Sequence, residues 1–232
     1  MVGRESMRDN YKTFGVDGYY TANSETYRNP HFPDLIRVVS MLMTRLMPHL
    51  SGNDLSCSRA SAWNDEYSFI RREPTEECDE SKESAQLEGN CLRILDLACG
   101  SGEASLSIAN WFRKSPSASS ISSLAITATD PYTQAAYTSR TGGSCLPHSF
   151  VDVSAGALSD EYDICIVSFA LHLADDSLIY SLMQQMALQC RFFIVTSPHK
   201  KPIIKDMGCM TLIDHFVAER IHVRIFKSNY VS

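Results

Sequence analysis

The sequence predicts an α/β protein: a Rossmann-like, doubly wound, mostly parallel sheet with an N-terminal helical and lid-forming extension. Three observations carry this. The stretch Leu92-Arg-Ile-Leu-Asp-Leu-Ala-Cys-Gly-Ser-Gly-Glu103 runs from an aliphatic strand into a glycine turn, and Ala104–Trp111 continues as a helix. Short apolar runs then alternate with helical patterns, the rhythm of right-handed βαβ units. Tyr162-Asp-Ile-Cys-Ile-Val-Ser168 is continuously apolar at its centre, as a parallel strand buried on both faces must be.

Three regions follow in order. Residues 1–50 read as a lid segment and a helix. The first part is rich in Tyr and Phe, and Leu35, Ile36, Val38, Val39, Leu42 and Leu46 then recur near a 3.6 period between Pro33 and Pro48, with Asp34 as the cap. Residues 51–90 turn polar and read as a linker or insertion, with Trp63, Tyr67, Phe69 and Ile70 able to dock one short piece. Residues 91–232 form the core. Its strands are expected at Leu92–Asp96, Ile126–Thr129, Ser149–Val153, Tyr162–Ser168 and Phe192–Thr196. Helices are expected at Tyr132–Arg140 and Ser177–Cys190. Thr211–Phe226 reads as an antiparallel pair, or as a helix followed by a strand.

At 232 residues the chain can bury a core that needs no disulfide staples. Its formal net charge of −6 argues against binding nucleic acid through the protein's own field. The eight cysteines include no Cys-x-x-Cys pair, so reduced thiols are expected and a metal site is not. Met1–Asp9 lacks the apolar centre of a signal peptide, and no segment approaches the roughly 20 apolar residues that cross a bilayer. A soluble, cytoplasmic protein is expected.

In an open parallel sheet, ligands bind beyond the carboxyl ends of the strands, where the strand order reverses. Each such end here carries candidate groups. Asp96 leads into Ala98-Cys99-Gly100-Ser101-Gly102, where glycines let the backbone approach a ligand. Asp130-Pro131 closes the second strand, and a carboxylate there can accept both hydroxyls of a ribose. Asp152 lies in the third, within reach of an adenine amino group. Ser168 and Phe169 end the fourth. The turn lacks the third glycine of a dinucleotide fingerprint, since Ser105 stands in its place, and no Gly-Lys-Ser/Thr of a phosphate loop follows. Asp96 would also repel a phosphate.

This set resembles the class I S-adenosylmethionine-dependent methyltransferases over about residues 91–200. The matching motifs are Asp96-x-x-x-Gly100-x-Gly102, Asp130, Asp152, and Tyr162-Asp163 leading into the fourth strand. The resemblance implies S-adenosyl-L-methionine as cofactor. It further implies that the Gly100 turn cradles the methionine part, Asp130 holds the ribose, and Asp152 with Val153 brackets the adenine. The polar spacer Ser115–Ser123 departs from the pattern. Flanking motifs, among them Tyr27-Arg-Asn-Pro-His31 and Ser197-Pro-His-Lys200, look similar to a sparsely characterised branch of that superfamily.

Methyl transfer requires alignment of the acceptor, exclusion of water and sometimes removal of a proton. His172 and His199, after the fourth and fifth strands, are candidate bases, with His31 a third. Tyr19, Tyr20, Tyr27, Arg28 and Asn29 either fold over the cofactor, with Arg28 reaching its carboxylate, or pack the 34–47 helix on the sheet. No Asn/Asp-Pro-Pro-aromatic tetrad follows the fourth strand and no Pro-Cys pair occurs, so the two best-marked base-methylating chemistries lack their signatures. Lys200, Lys201, Lys205, Arg220, Arg224 and Lys227 make a modest basic region, more in keeping with a solvated face than an RNA groove. A methyltransferase acting on an oxygen, nitrogen or sulfur of a small molecule is the leading expectation. RNA or protein acceptors, or a cofactor-binding subunit without turnover, are the alternatives.

Overall fold

The computed structural model describes residues 15, 18–50, 68–71, 90–204 and 207–231. Its seven strands are β1 (Ser68–Arg71), β2 (Cys91–Leu97), β3 (Ser123–Thr129), β4 (Tyr162–Ser168), β5 (Cys190–Ser197), β6 (Met210–Ala218) and β7 (Ile221–Ser228). They form one sheet in the order β1-β3-β2-β4-β5-β7-β6. β2 to β5 run parallel, β1 is antiparallel to β3, and β7 is antiparallel to both neighbours. After β3 the winding reverses: β2 holds β3 on one side and β4 on the other. That is where a doubly wound sheet opens a crevice.

The helices are α1 (Phe32–Leu50), α2 (Glu103–Lys114), α3 (Gln134–Thr141), α4 (Phe150–Ser154) and α5 (Asp176–Gln189). Strand side chains alternate between faces. Leu92 and Ile94 of β2 join the core beneath α1 and α2, whereas Leu95 and Leu97 join the one beneath α5. α1 buries Leu35, Val38, Val39, Leu42, Met43, Leu46, Met47 and Leu50. Each fully buried aliphatic side chain is worth about 1.5–3 kcal/mol, so truncating Leu42 would loosen the extension from the sheet.

Several boundaries depart from the sequence reading. α1 begins at Phe32, so Asp34 sits inside the first turn, paired with Arg37 at 2.6 Å, and Pro48 lies within the last turn. The expected third strand, Ser149–Val153, is the short helix α4. Ser149 caps it by accepting from the Asp152 amide, while the Asp152 carboxylate accepts from the Ser149 amide in return. What survives of a strand there is one parallel bridge between Thr129 and Leu146. The vacant edge beside β3 is taken by β1, from within the segment read as a linker. Trp63 and Tyr67 lie outside the described residues. The C-terminal pair is an antiparallel hairpin, with Glu219 and Arg220 both left-handed (φ 50° and 64°) in a two-residue turn that matches strand twist.

Candidate functional site

A cavity of about 240 Å³ opens at the carboxyl ends of β2, β3 and β4. Ala98, Cys99 and Gly100 from the glycine turn line it, with Asp130, Pro131 and Tyr132 after β3 and Ser168, Phe169 and Ala170 after β4. Ala98 and Phe169 both hold left-handed backbone without being glycine (φ 56° and 58°). Such conformations cost of order 1–3 kcal/mol each and cluster where geometry serves a site.

Asp130 fastens the turns together. Its carboxylate accepts from the amides of Gly100 (3.1 Å), Tyr132 (2.9 Å) and Thr133 (3.0 Å), while the Thr133 hydroxyl donates to the Gly100 carbonyl at 2.7 Å. Asp96 lies one layer deeper and does not line the cavity. It faces α2, where its Oδ2 accepts from the amide and hydroxyl of Ser105 at 3.0 and 2.6 Å. Burial pushes its carboxyl up to about 7, against the lowering effect of the Ser105 hydrogen bonds. Gly102 also stands back. A Cβ there would meet Thr141 Cγ2 at 2.5 Å, so this glycine permits the packing of α3 on the turn.

The N-terminal segment packs against the glycine turn. Tyr20, Tyr27 and Asn29 line the cavity, and a Cβ on Gly100 would stand 2.9 Å from the Tyr27 ring. Tyr20 meets Tyr27 edge-on and stacks with Tyr132. Glu103, the first residue of α2, ties this segment down. Its Oε1 accepts from the Asn29 amide (3.0 Å), the Ser101 hydroxyl (2.6 Å) and Arg140 Nη1 (2.5 Å). The Arg140 guanidinium in turn lies 4.4 Å over the Phe32 ring. Sequence reasoning missed Glu103 and Arg140, because their pairing depends on α3 packing beside the turn.

Other expected site residues lie elsewhere. Arg28 is exposed and donates to the carbonyl of its neighbour Tyr27 at 2.6 Å, outside the lining. Asp152 is exposed and spent on capping α4, where its Ser149 hydrogen bonds lower its pKa; Val153 is buried in the core beneath α5. Neither brackets the cavity. His148, Ser149, Phe150 and Val151 do, directly after the Leu146 bridge. His148 went unnoticed because the residues after it read as a strand.

None of the three expected histidines lines the cavity. His31 stacks on the outer side of the site against Phe169, with ring centroids 5.2 Å apart and planes 8° from parallel. His172 and His199 are exposed. Crowding by protein atoms, and then the neighbouring His199, push the His172 pKa down. In the basic region Arg224 turns inward and donates to the Pro202 carbonyl, which removes it from any surface patch; Lys205 lies outside the described residues.

No family model matches the chain. An uncharacterized protein of the fission yeast Schizosaccharomyces pombe is 32% identical over 262 aligned positions, covering 96% of this chain and 92% of the yeast protein. The chain belongs to that protein's family. Its strand order, with four parallel strands at the centre and a reversal of winding at β2, is that of a Rossmann-like, doubly wound fold. Among solved structures, magnesium protoporphyrin IX methyltransferase from Synechocystis, with bound cofactor, is 12% identical and covers 95% of this chain and 93% of its own, at a TM-score of 0.49. The ribosomal protein L11 methylase of Lactobacillus delbrueckii is 13% identical, covering 62% and 72%, at 0.43. TehB of Haemophilus influenzae is 11% identical, covering 59% and 57%, at 0.40; this chain spans little more than half of TehB. Among the described residues, no helix is long and apolar enough to cross a membrane.

Proposed function

We propose that this family member is an S-adenosyl-L-methionine-dependent methyltransferase whose acceptor is an oxygen, nitrogen or sulfur of a small molecule. The observation that carries the reading is the cradle itself. Asp130 draws the Gly100 amide to the end of β3, and the resulting turn opens onto a partly open, mostly apolar cavity at the switch point of the sheet.

The residues present suit that cofactor. It supplies a methyl group on a sulfonium, already activated for in-line displacement. Glu103 lines the cavity and has its Oε2 3.6 Å from where a Cβ on Gly100 would lie, so a carboxylate oxygen is placed to meet an ammonium or sulfonium charge. The rim of Asp130 suits hydroxyl groups. Phe150, Val151 and Leu178 give an aromatic base apolar walls, with His148 as the polar group beside them. Tyr20 and Tyr27 exclude water from above. Where the acceptor must lose a proton, His148 is the imidazole in the wall.

A cavity of about 240 Å³ falls below the roughly 300–1,000 Å³ of ordinary ligand pockets. The 18–31 cover must therefore give way for cofactor and acceptor together, and a cover of this kind favours a small acceptor over a polymer. Calorimetric titration with S-adenosylhomocysteine tests the cofactor assignment. Micromolar binding is expected, and no binding by the wild type overturns it. A panel of small nucleophiles incubated with labelled cofactor tests the acceptor class. Label transferred only to RNA or protein would replace the small-molecule reading. His148→Ala is expected to bind S-adenosylhomocysteine and lose turnover.

A further inference from the structure

We propose that Cys99 and Cys145 are an oxidation site, forming a reversible disulfide under peroxide that draws in the wall of the cavity and weakens cofactor binding. The Sγ atoms lie 3.5 Å apart, in contact and unbonded. Together with Ala128 and Tyr137 the pair forms a small cluster separate from the two main cores. Cys99 lies between Ala98 and Gly100 and lines the cavity itself. Cys145 follows Gly142-Gly143-Ser144 and immediately precedes Leu146.

The two sides of the pair differ in freedom. Cys99 is held by its amide on the Thr129 carbonyl (3.0 Å) and by its own carbonyl, which accepts from the Gly102 amide (2.9 Å). The loop before Cys145 contains Gly142 in a left-handed turn (φ 76°), with open space where a Cβ would stand. A disulfide is about 2.05 Å long, so the sulfurs must close by about 1.5 Å, and the loop is the side able to move. Leu146, next in the chain, exchanges hydrogen bonds with Ala128 and Asp130 and leads directly to His148 and Ser149 in the cavity wall. Movement at Cys145 is thus passed to the wall and to the clamp on Gly100.

Access and chemistry set the order of events. Cys145 is half-buried and Cys99 buried, and burial holds the Cys99 thiol protonated. The Cys145 thiolate attacks one oxygen of hydrogen peroxide, the O–O bond breaks, and a sulfenic acid forms with release of hydroxide. Cys99 then loses its proton and attacks the Cys145 sulfur, and the sulfenic hydroxyl leaves as water. In sum, two thiols and one peroxide yield one disulfide and two waters, and the two electrons given up by sulfur reduce the peroxide. Cys165 and Cys190 also neighbour one another, but both are fully buried in the core, where an oxidant has no path.

The effect on the cofactor rests on the function proposed above; the bond itself does not. The test is peroxide treatment of the full chain, followed by peptide mapping without reductant and by titration with S-adenosylhomocysteine. A linked Cys99–Cys145 peptide is expected, with affinity falling about ten-fold and restored by dithiothreitol. Cys145→Ser should bind equally before and after peroxide. Reversal in the wild-type chain reads the same effect without a variant. No linked peptide, a bond to another cysteine, or unchanged affinity in the linked form would each overturn the proposal. If the reduced chain binds no cofactor, the functional reading fails, while the map still decides the bond.

Discussion

Tyr27 brings one edge of its ring to Gly100, leaving 2.9 Å between that ring and the position of a missing Cβ. Gly100 also holds a left-handed backbone (φ 57°). Gly100→Ala therefore meets two obstacles, backbone strain of about 1–2 kcal/mol and a displaced ring. We expect it to lower stability by about 2 kcal/mol and to weaken S-adenosylhomocysteine binding. Adding Tyr27→Ala should recover only the steric share, because the strain stays. Urea denaturation of the single and double variants separates the two; full recovery would show that strain contributes nothing.

The Glu103–Arg140 pair joins the cover to the turn. Arg140→Ala leaves a buried carboxylate short of its cation, a loss of about 2–3 kcal/mol. Phe32 loses its stacked guanidinium in the same variant. The expected signature is faster proteolytic cleavage within residues 18–31, ahead of global unfolding. Cleavage that merely tracks global stability would mean that the pair does not hold the cover.

Asp130 separates two ideas of what an acid at the end of β3 is for. A carboxylate serving a ribose alone would change affinity and leave stability intact. Three backbone amides depend on Asp130 here. Asp130→Ala is thus expected to lower stability by about 2–4 kcal/mol as well as abolish cofactor binding. A variant as stable as the wild type would contradict the clamp.

Asp96 makes stability depend on pH. Its carboxyl titrates near 7 in the fold and near 3.8 in an open chain. Between those values the folded protein keeps a proton that the unfolded chain has lost, so this group's contribution falls as pH rises from about 4 to about 7, then stays level. Asp96→Asn keeps an acceptor for Ser105 and has no charge to bury. It should gain on the wild type across that window, by a few kcal/mol at most. Denaturation at pH 5 and pH 8 measures this; an equal difference at both would contradict the shift.

Much of the frame was legible because it is written in local pattern. The unbroken apolar run of β4 gave its limits to the residue, and Ala98, Cys99, Gly100 and Asp130 line the cavity at the strand ends. Ser149–Val153 was misread although it held its own correction. Its apolar residues read as a short strand, while Ser149 and Asp152, three apart, are a capping box. That error hid His148. Arg28 is singled out by residue type and Asp96 by its place before the glycines, but an arginine's reach and a strand residue's face depend on what packs nearby. Arg28 found its neighbour's carbonyl, and Asp96 found Ser105. Glu103 and Arg140 meet across 37 positions, which no local pattern encodes.

The last strand-edge detail bears on how much chain this fold can carry. Arg71, where β1 ends, and Cys91, where β2 begins, both pair with Ser123, from opposite sides of β3. Two strand spacings, about 10 Å, therefore separate Arg71 from Cys91, a gap that three or four extended residues can bridge. The cost of loop closure grows only slowly with length. Above that minimum the sheet sets no length for the connection between β1 and β2, and chain added or removed there leaves the cradle at the other end of β2 in register.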